Sequence, residues 1–219
     1  MGKITTVLFD FDGTIMNTND VIIKSWQHTF RALTGKEQEE SAIVKTFGEP
    51  LELTMGRFFG GEQEEVNKNI EIYRSFHRDN FGKLITVFPG IHDLLAELKD
   101  RENKLGLVTS RLKRTTMEGL EKYKLDRYFD YVVTADDTTV HKPDPAPILI
   151  ALNNLGSTHD EAIMVGDTWM DMKCAANANV PAVLVDWSIA FTGAEREGEH
   201  KPDYIIKEAM DLVALLDRI

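Results

Sequence analysis

A single cysteine, Cys174, occurs in the 219 residues. No intramolecular disulfide can form, so the fold must rest on its hydrophobic core. Cys174 lies in the apolar run Cys174-Ala175-Ala176 and reads as a small buried hydrophobe rather than a reactive thiol. Long apolar runs are also missing. None approaches the ~20 residues needed to span a bilayer. The opening stretch, MGKITTVLFDFDG, has neither an apolar signal region nor a cleavage site, so no export signal is expected. Positive charge is in short supply, with 25 Lys and Arg against 36 Asp and Glu and a formal net charge of -11. A chain this acidic is a poor non-specific partner for nucleic acid or anionic membrane. A cytoplasmic protein with no nucleic-acid and no membrane partner is expected. Neither GxGxxG nor a Walker A pattern occurs, which removes the common nucleotide-binding readings.

What remains is the composition of an ordinary globular protein, 42% hydrophobic and 28% charged. Short β-rich apolar runs recur at residues 4–9 (ITTVLF), 105–109 (LGLVT), 131–134 (YVVT), 162–165 (AIMV) and 182–185 (AVLV). Helical periodicity lies between them. Ile91, Leu94, Leu95 and Leu98 form one stripe, and a helix over Ala146–Leu155 follows Asp144 as N-cap and Pro145. Strand and helix in alternation imply an α/β fold, a Rossmann-like parallel-sheet core. Residues 16–85 break the alternation and contain no convincing buried strand. Ile22, Trp26, Phe30 and Leu33 fit one helical face, and Val66, Ile70, Tyr73 and Phe76 another. The expected organisation is an α/β core formed by residues 1–15 and 86–219, with a helical cap, 16–85, inserted after the first strand. The expected exits of the insert are loops at Gly13-Thr14, Phe81-Gly82 and Phe88-Pro89-Gly90.

Four features carry chemistry. Asp10 and Asp12 end the first strand, where open α/β sheets bind ligands. Two carboxylates so close repel, and a cation or a shared proton relieves the conflict. Such a pair suits one attacking group and one acid/base partner, although a bare DxD is equally a turn. Asp167, in Gly166-Asp167-Thr168-Trp169-Met170-Asp171, offers a hard oxygen to a cation such as Mg²⁺, or is merely a helix N-cap. Asp171, four residues on, shares its face if a helix starts there, and can act through water or orient a ligand. Thr109 and Ser110 offer hydroxyl and backbone donors at an expected helix start, with Arg111, Lys113 and Arg114 adding positive charge for an anion. Lys142 sits in His141-Lys142-Pro143-Asp144-Pro145, where two prolines stiffen the loop and can aim the ammonium at the carboxylates. Viewed singly, a capping Thr/Ser pair and a surface lysine are the plainer readings. Gathered at one sheet edge, all four point to phosphoryl chemistry.

In this order, DFDGT at 10–14, Thr109, Lys142 and GDTWMD at 166–171 resemble the four motifs of the haloacid dehalogenase superfamily, phosphatase branch. The resemblance spans essentially the whole chain, and the helical insert is similar to the cap of phosphoglycolate phosphatase and β-phosphoglucomutase relatives. It implies that Asp10 forms an aspartyl-phosphate and that Asp12 serves as acid, then base. It implies Mg²⁺ held by Asp10, the Asp12 backbone carbonyl and Asp167 with support from Asp171, and a phosphoryl group held by Thr109 and Lys142. The stretches IMNTN (15–19), YRSFH (73–77), HKPDPAP and DWSIAFTG are similar to a bacterial pyrophosphatase subgroup. Pyrophosphate and phosphoglycolate are therefore the leading substrates of an expected monomer or homodimer. Asn17, Thr18, Glu49, Arg57, Arg74 and His77 are candidates for setting specificity, with cap packing as the alternative for each. His28, between Trp26 and Phe30, reads as a packing residue.

Asp12 argues against dehalogenation, because dehalogenases of this superfamily lack the second aspartate. The mutase relatives carry a cap arginine and a histidine after the first motif. Phe47-Gly48-Glu49-Pro50-Leu51 and IMNTNDVII supply neither at the matching places, so hydrolysis is favoured over mutase chemistry. A phospho-receiver-like module is the non-enzymatic alternative. The long insert and the late GDTWMD fit it poorly.

Overall fold

The computed structural model describes residues 3–190 and 201–219. The chain divides into two compact units, Met1–Asn17 with Thr86–Ile219, and Thr18–Ile85.

The first unit is built on six parallel strands: β1 (Thr6–Phe9), β4 (Lys104–Val108), β5 (Tyr131–Val133), β6 (Ala162–Gly166), β7 (Ala182–Val185) and β8 (Tyr204–Ile206). Their order across the sheet is β5-β4-β1-β6-β7-β8. β1, β6 and β7 are buried at every residue, as strands covered on both faces must be. The helices of this unit are α5 (Ile91–Asp100), α6 (Lys113–Lys122), α7 (Ala146–Leu155), α8 (Trp169–Asn177) and α9 (Asp211–Leu216). Crossovers first run from β1 towards β5, then reverse and run from β6 towards β8. Right-handed connections therefore put α5 and α6 on one face and α7 and α8 on the other. Leu8, Met164 and Leu184 pack with Ile148, Leu152, Met172 and Cys174 in one core cluster beneath α7 and α8.

The reversal occurs around β1, whose neighbours are β4 and β6. At such a switch point the loops leaving adjacent strands diverge to opposite faces, opening a crevice at the strands' carboxyl ends. Asp10, Thr109 and Asp167 directly follow β1, β4 and β6, so the topology alone gathers them there.

Met16 and Asn17 (β2) pair antiparallel with Thr86 and Val87 (β3). The second unit comprises α1 (Asn19–Thr34), α2 (Glu40–Val44), α3 (Leu51–Phe59) and α4 (Gln63–Leu84). Trp26, Phe30, Ile43, Met55, Val66, Ile70 and Tyr73 form its core. Leu33, expected on the buried face of α1, is 37% exposed because α1 ends one residue later and the left-handed Gly35 turns the chain away. The expected loop at Phe81-Gly82 lies inside α4. Phe81 is fully buried there, and burying a phenylalanine (about 2–3 kcal/mol) outweighs a helical glycine (~1 kcal/mol). No helix among the described residues is long and apolar enough to cross a membrane.

Candidate active site

Lys142 is the centre of the site. Its side chain is buried, and its ammonium donates to Asp10 Oδ1 at 2.5 Å, Asp171 Oδ1 at 2.6 Å and the Val108 carbonyl at 3.1 Å. The lysine of the 141–145 loop points inward. Burial would push the ammonium's pKa down, but the carboxylates of Asp10 and Asp171 outweigh burial and hold it above its ordinary value.

Asp171 uses its two oxygens differently. One accepts from Lys142. The other accepts from the Thr168 amide at 3.1 Å and the Thr168 hydroxyl at 2.7 Å, completing a capping box at the start of α8. Thr168, not Asp167, is the N-cap, which removes the plain reading of Asp167. A Cβ on Gly166 would stand 2.4 Å from that of Asp171, so glycine is required for the close approach.

Asp167 is 3% exposed. Its Oδ2 accepts from the Ser188 hydroxyl at 2.6 Å, while Oδ1 is buried and has no hydrogen-bond partner among the described residues. Gly13 makes this arrangement possible. At φ +73° it adopts a conformation suited to glycine, and a Cβ there would fall 1.9 Å from Asp167 Oδ2. Asp10, Asp167 and Asp171 each bring a carboxylate oxygen within 4.8 Å of the other two. Burial, then repulsion from Asp171 and Asp10, raises Asp167 well above the usual carboxylate range despite Ser188 and Lys142. Asp10 is pushed up to about 7 by burial, with Lys142 opposing and Asp171 and Asp12 reinforcing. Three buried carboxylates thus face one ammonium, and an orphaned oxygen points at no donor. This donor set fits a hard divalent cation, which would supply the missing positive charge.

Asp12 is half-buried and held by Arg111, whose Nε and terminal nitrogen donate to its two oxygens at 3.0 and 2.7 Å. The guanidinium also lies 5.6 Å from the centroid of the Phe11 ring. Thr109 is buried, and its hydroxyl oxygen accepts from the Arg111 amide at 3.1 Å, so its own hydrogen can serve another acceptor. The helix expected to begin at Thr109-Ser110 does not start until Lys113, whose amide donates to Asp136 at 2.6 Å. Residues 110–112 bend instead, with the Thr109 hydroxyl accepting from the Arg111 amide and the Asp136 carboxylate from the Lys113 amide that opens α6. Ser110 is exposed in that bend. Asp144 caps α7 through the Ala146 amide at 2.8 Å, with Pro145 as the positional N-cap.

The other candidates are spread over both units. Asn17 lies in β2 and is half-buried. In the helical unit, Glu49 accepts from Thr54 at 3.0 Å and is paired with Arg57, so its carboxylate is engaged locally. Arg74 is exposed, with Glu71 3.5 Å away. Thr18 is fully buried, and its hydroxyl has no hydrogen-bond partner among the described residues. His77 is buried and stacked on Phe81 at 5.3 Å, and His28 is stacked on Phe76 at 4.6 Å, as expected of a packing residue. Phe191, Thr192 and Gly193, the end of DWSIAFTG, lie outside the described residues.

Two features were not foreseen from the sequence. One is Ser188 as the partner of Asp167. The other is the Arg111–Asp12 pair. Ser188 stands in a loop held by the Trp187 indole, which donates to the Thr14 carbonyl at 3.1 Å. The sequence signal for Ser188 was its place in DWSIAFTG, directly after a buried strand.

The description "Haloacid dehalogenase-like hydrolase" matches residues 7–185 of the chain. The chain belongs to this family. Among curated relatives, Pyrophosphatase PpaX of Bacillus pumilus is 37% identical over 97% of this chain and 96% of its own. Pyrophosphatase PpaX of Bacillus velezensis is 36% identical over 96% and 95%. Among solved structures, a predicted phosphatase from Clostridium acetobutylicum has a TM-score of 0.87 at 26% identity, covering 99% of both chains. Family membership makes the chain a hydrolase, and the core described above is the scaffold it shares with these proteins.

Proposed function

We propose that this protein is a Mg²⁺-dependent phosphohydrolase acting on a small phosphate substrate, with pyrophosphate and phosphoglycolate favoured, through an aspartyl-phosphate on Asp10. The observation that carries this reading is the buried cluster of Asp10, Asp167 and Asp171 around Lys142, with Asp167 Oδ1 lacking a donor. The PpaX relatives support pyrophosphate.

Asp10, Asp167 and the Asp12 backbone carbonyl would hold the ion, with Asp171 supporting it through Lys142 and the Thr168 cap. When bound, the ion offsets carboxylate repulsion and draws negative charge from the transferring phosphoryl group. An Asp10 oxygen attacks phosphorus as the bond to the leaving oxygen breaks. Asp12 gives that oxygen a proton. Asp12 then takes a proton from water, whose oxygen attacks the phosphorus and breaks its bond to Asp10. Orthophosphate leaves and Asp10 is regenerated. Lys142 and the Thr109 hydroxyl hold the transferring oxygens, with Ser110 contributing from the bend. Positioning and charge stabilisation dominate such a reaction. Asn17, Glu49 and Arg74 are the proposed selectivity residues.

The test is phosphate release from pyrophosphate, phosphoglycolate, β-glucose 1-phosphate and 5′-nucleotides, with Mg²⁺ or excess chelator. Pyrophosphate or phosphoglycolate should lead the series. Chelator should abolish turnover, and Asp10→Ala should lower it by at least about 10⁴-fold. Undiminished turnover in Asp10→Ala or in chelator would overturn the nucleophile or the metal.

A further inference from the structure

We infer that Arg111 is a specificity residue that recognises a negatively charged leaving group, and that Asp12 occupies its place in the free protein. The inference rests on the role proposed above for Asp12. Asp12 must reach the leaving oxygen to protonate it, so whatever grips the Asp12 carboxylate lies within one side chain of the leaving group. Arg111 grips it through two nitrogens, at 2.7 and 3.0 Å. The arginine side chain is only 10% exposed, against 30% for the aspartate. It is fixed from behind as well: its amide donates to Thr109 and its guanidinium lies by Phe11.

A planar guanidinium presents a fork that fits a carboxylate or a phosphate equally well. Here the fork already holds a carboxylate. The departing half of pyrophosphate is a phosphate, and the departing half of phosphoglycolate carries a carboxylate. Either anion can take over one arm of the fork from Asp12. That exchange does two things at once. It binds the leaving group, and it frees one side of the Asp12 carboxylate from the fork so that it can turn to the leaving oxygen. A substrate with an uncharged alcohol as leaving group offers the fork nothing and leaves Asp12 held. Selection thus occurs on the leaving-group side, while Lys142 and Thr109 meet the phosphoryl group common to all candidates.

The alternative is that Arg111 only positions Asp12. The two separate by leaving group, because a poor alcohol leaving group depends most on the proton from Asp12. The variants are Arg111→Met, which keeps the stem, and Arg111→Lys, which keeps the charge without the fork. With Mg²⁺ present, kcat/KM would be measured for pyrophosphate, phosphoglycolate and ethyl phosphate. Binding of methylenediphosphonate, phosphonoacetate and orthophosphate would be measured calorimetrically. Arg111→Met should lose on the order of 100-fold on pyrophosphate, phosphoglycolate or both, and clearly less on ethyl phosphate. The matching two-anion analogue should weaken similarly while orthophosphate changes less than about tenfold, with Arg111→Lys in between. Loss on pyrophosphate alone identifies a phosphate leaving group, and loss on phosphoglycolate alone a carboxylate. Equal loss on all three substrates, greater loss on ethyl phosphate, or unchanged analogue binding would overturn the inference. Failure of the underlying reading looks different: the wild-type protein with Mg²⁺ would release phosphate from none of them. Where turnover of ethyl phosphate is too slow to follow, the comparison of analogues with orthophosphate decides alone.

Discussion

The two units handle charge in opposite ways. In the α/β unit, Asp10, Lys142, Asp167 and Asp171 are all buried, with Lys142 bonded to Asp10 and Asp171 and the three carboxylates clustered within 4.8 Å. In the helical unit, described ion pairs such as Lys24–Asp20, Arg31–Glu37 and Lys68–Glu64 lie at the surface. Its interior is aromatic instead, with Trp26 against Tyr73 at 4.9 Å and Phe30 against Phe59 at 4.7 Å. Burying charge costs several kcal/mol per ion unless partners and geometry compensate, whereas aromatic burial stabilises directly. A protein retains the costly arrangement where chemistry requires it. The interior of the helical unit, by contrast, is held by packing.

The largest effect on stability should come from the aromatic interior. Trp26→Ala should destabilise the helical unit by about 3–5 kcal/mol, read by urea denaturation. Metal binding, read by calorimetry, should persist in the α/β unit under native conditions. Parallel loss of both would erase the contrast between the units.

Ser188→Ala should be next. It removes the donor that fixes Asp167 Oδ2 and should weaken Mg²⁺ binding by about 10–100-fold, with Ser188→Thr restoring part of it. Unchanged affinity would show that Asp167 needs no such partner.

A pH effect follows from Asp10. Burial leads in raising it to about 7, and Asp171 and Asp12 add to the rise while Lys142 opposes it. A raised carboxylate stabilises the fold in its protonated form, a contribution fully present below the ordinary carboxylate range and lost as pH rises through about 7. Metal binding needs the ionised form and weakens as pH falls below about 7. The gap in Tm between Mg²⁺ and chelator should therefore widen from about pH 6 to about pH 8, by roughly 2–4 °C per kcal/mol of linkage. A gap that narrows would contradict the sign.

The smallest effect should be Lys68→Ala, whose pair with Glu64 is 72% and 84% exposed. It should change stability by no more than about 0.5 kcal/mol. A larger loss would mean that surface pairs hold the helical unit after all.

The parts of the molecule readable in sequence are those with local signals. The apolar runs ending in DFDGT, LVT and AIMVGD mark strand ends, and α7 occupies the expected Ala146–Leu155. The gathering of Asp10, Thr109 and Asp167 follows from the parallel sheet those runs imply. Weak local signals were lost: β8 has three residues with one buried, and β2 and β3 have two each. Gly82 misled because a glycine reads as a break until the burial of Phe81 is known. Arg111–Asp12 spans 99 positions and Ser188–Asp167 spans 21. Such pairs leave no periodicity, and only the folded sheet edge brings them together.

The proposed chemistry passes through a covalent phosphate on Asp10. The direct measurement is acid quenching of the Mg²⁺-loaded protein during turnover of pyrophosphate or phosphoglycolate, borohydride reduction of any acyl-phosphate, and peptide mass spectrometry. Homoserine is expected at position 10, and none there in the Asp10→Ala variant. Efficient turnover with position 10 unmodified, or with the label at Asp167 instead, would contradict that chemistry.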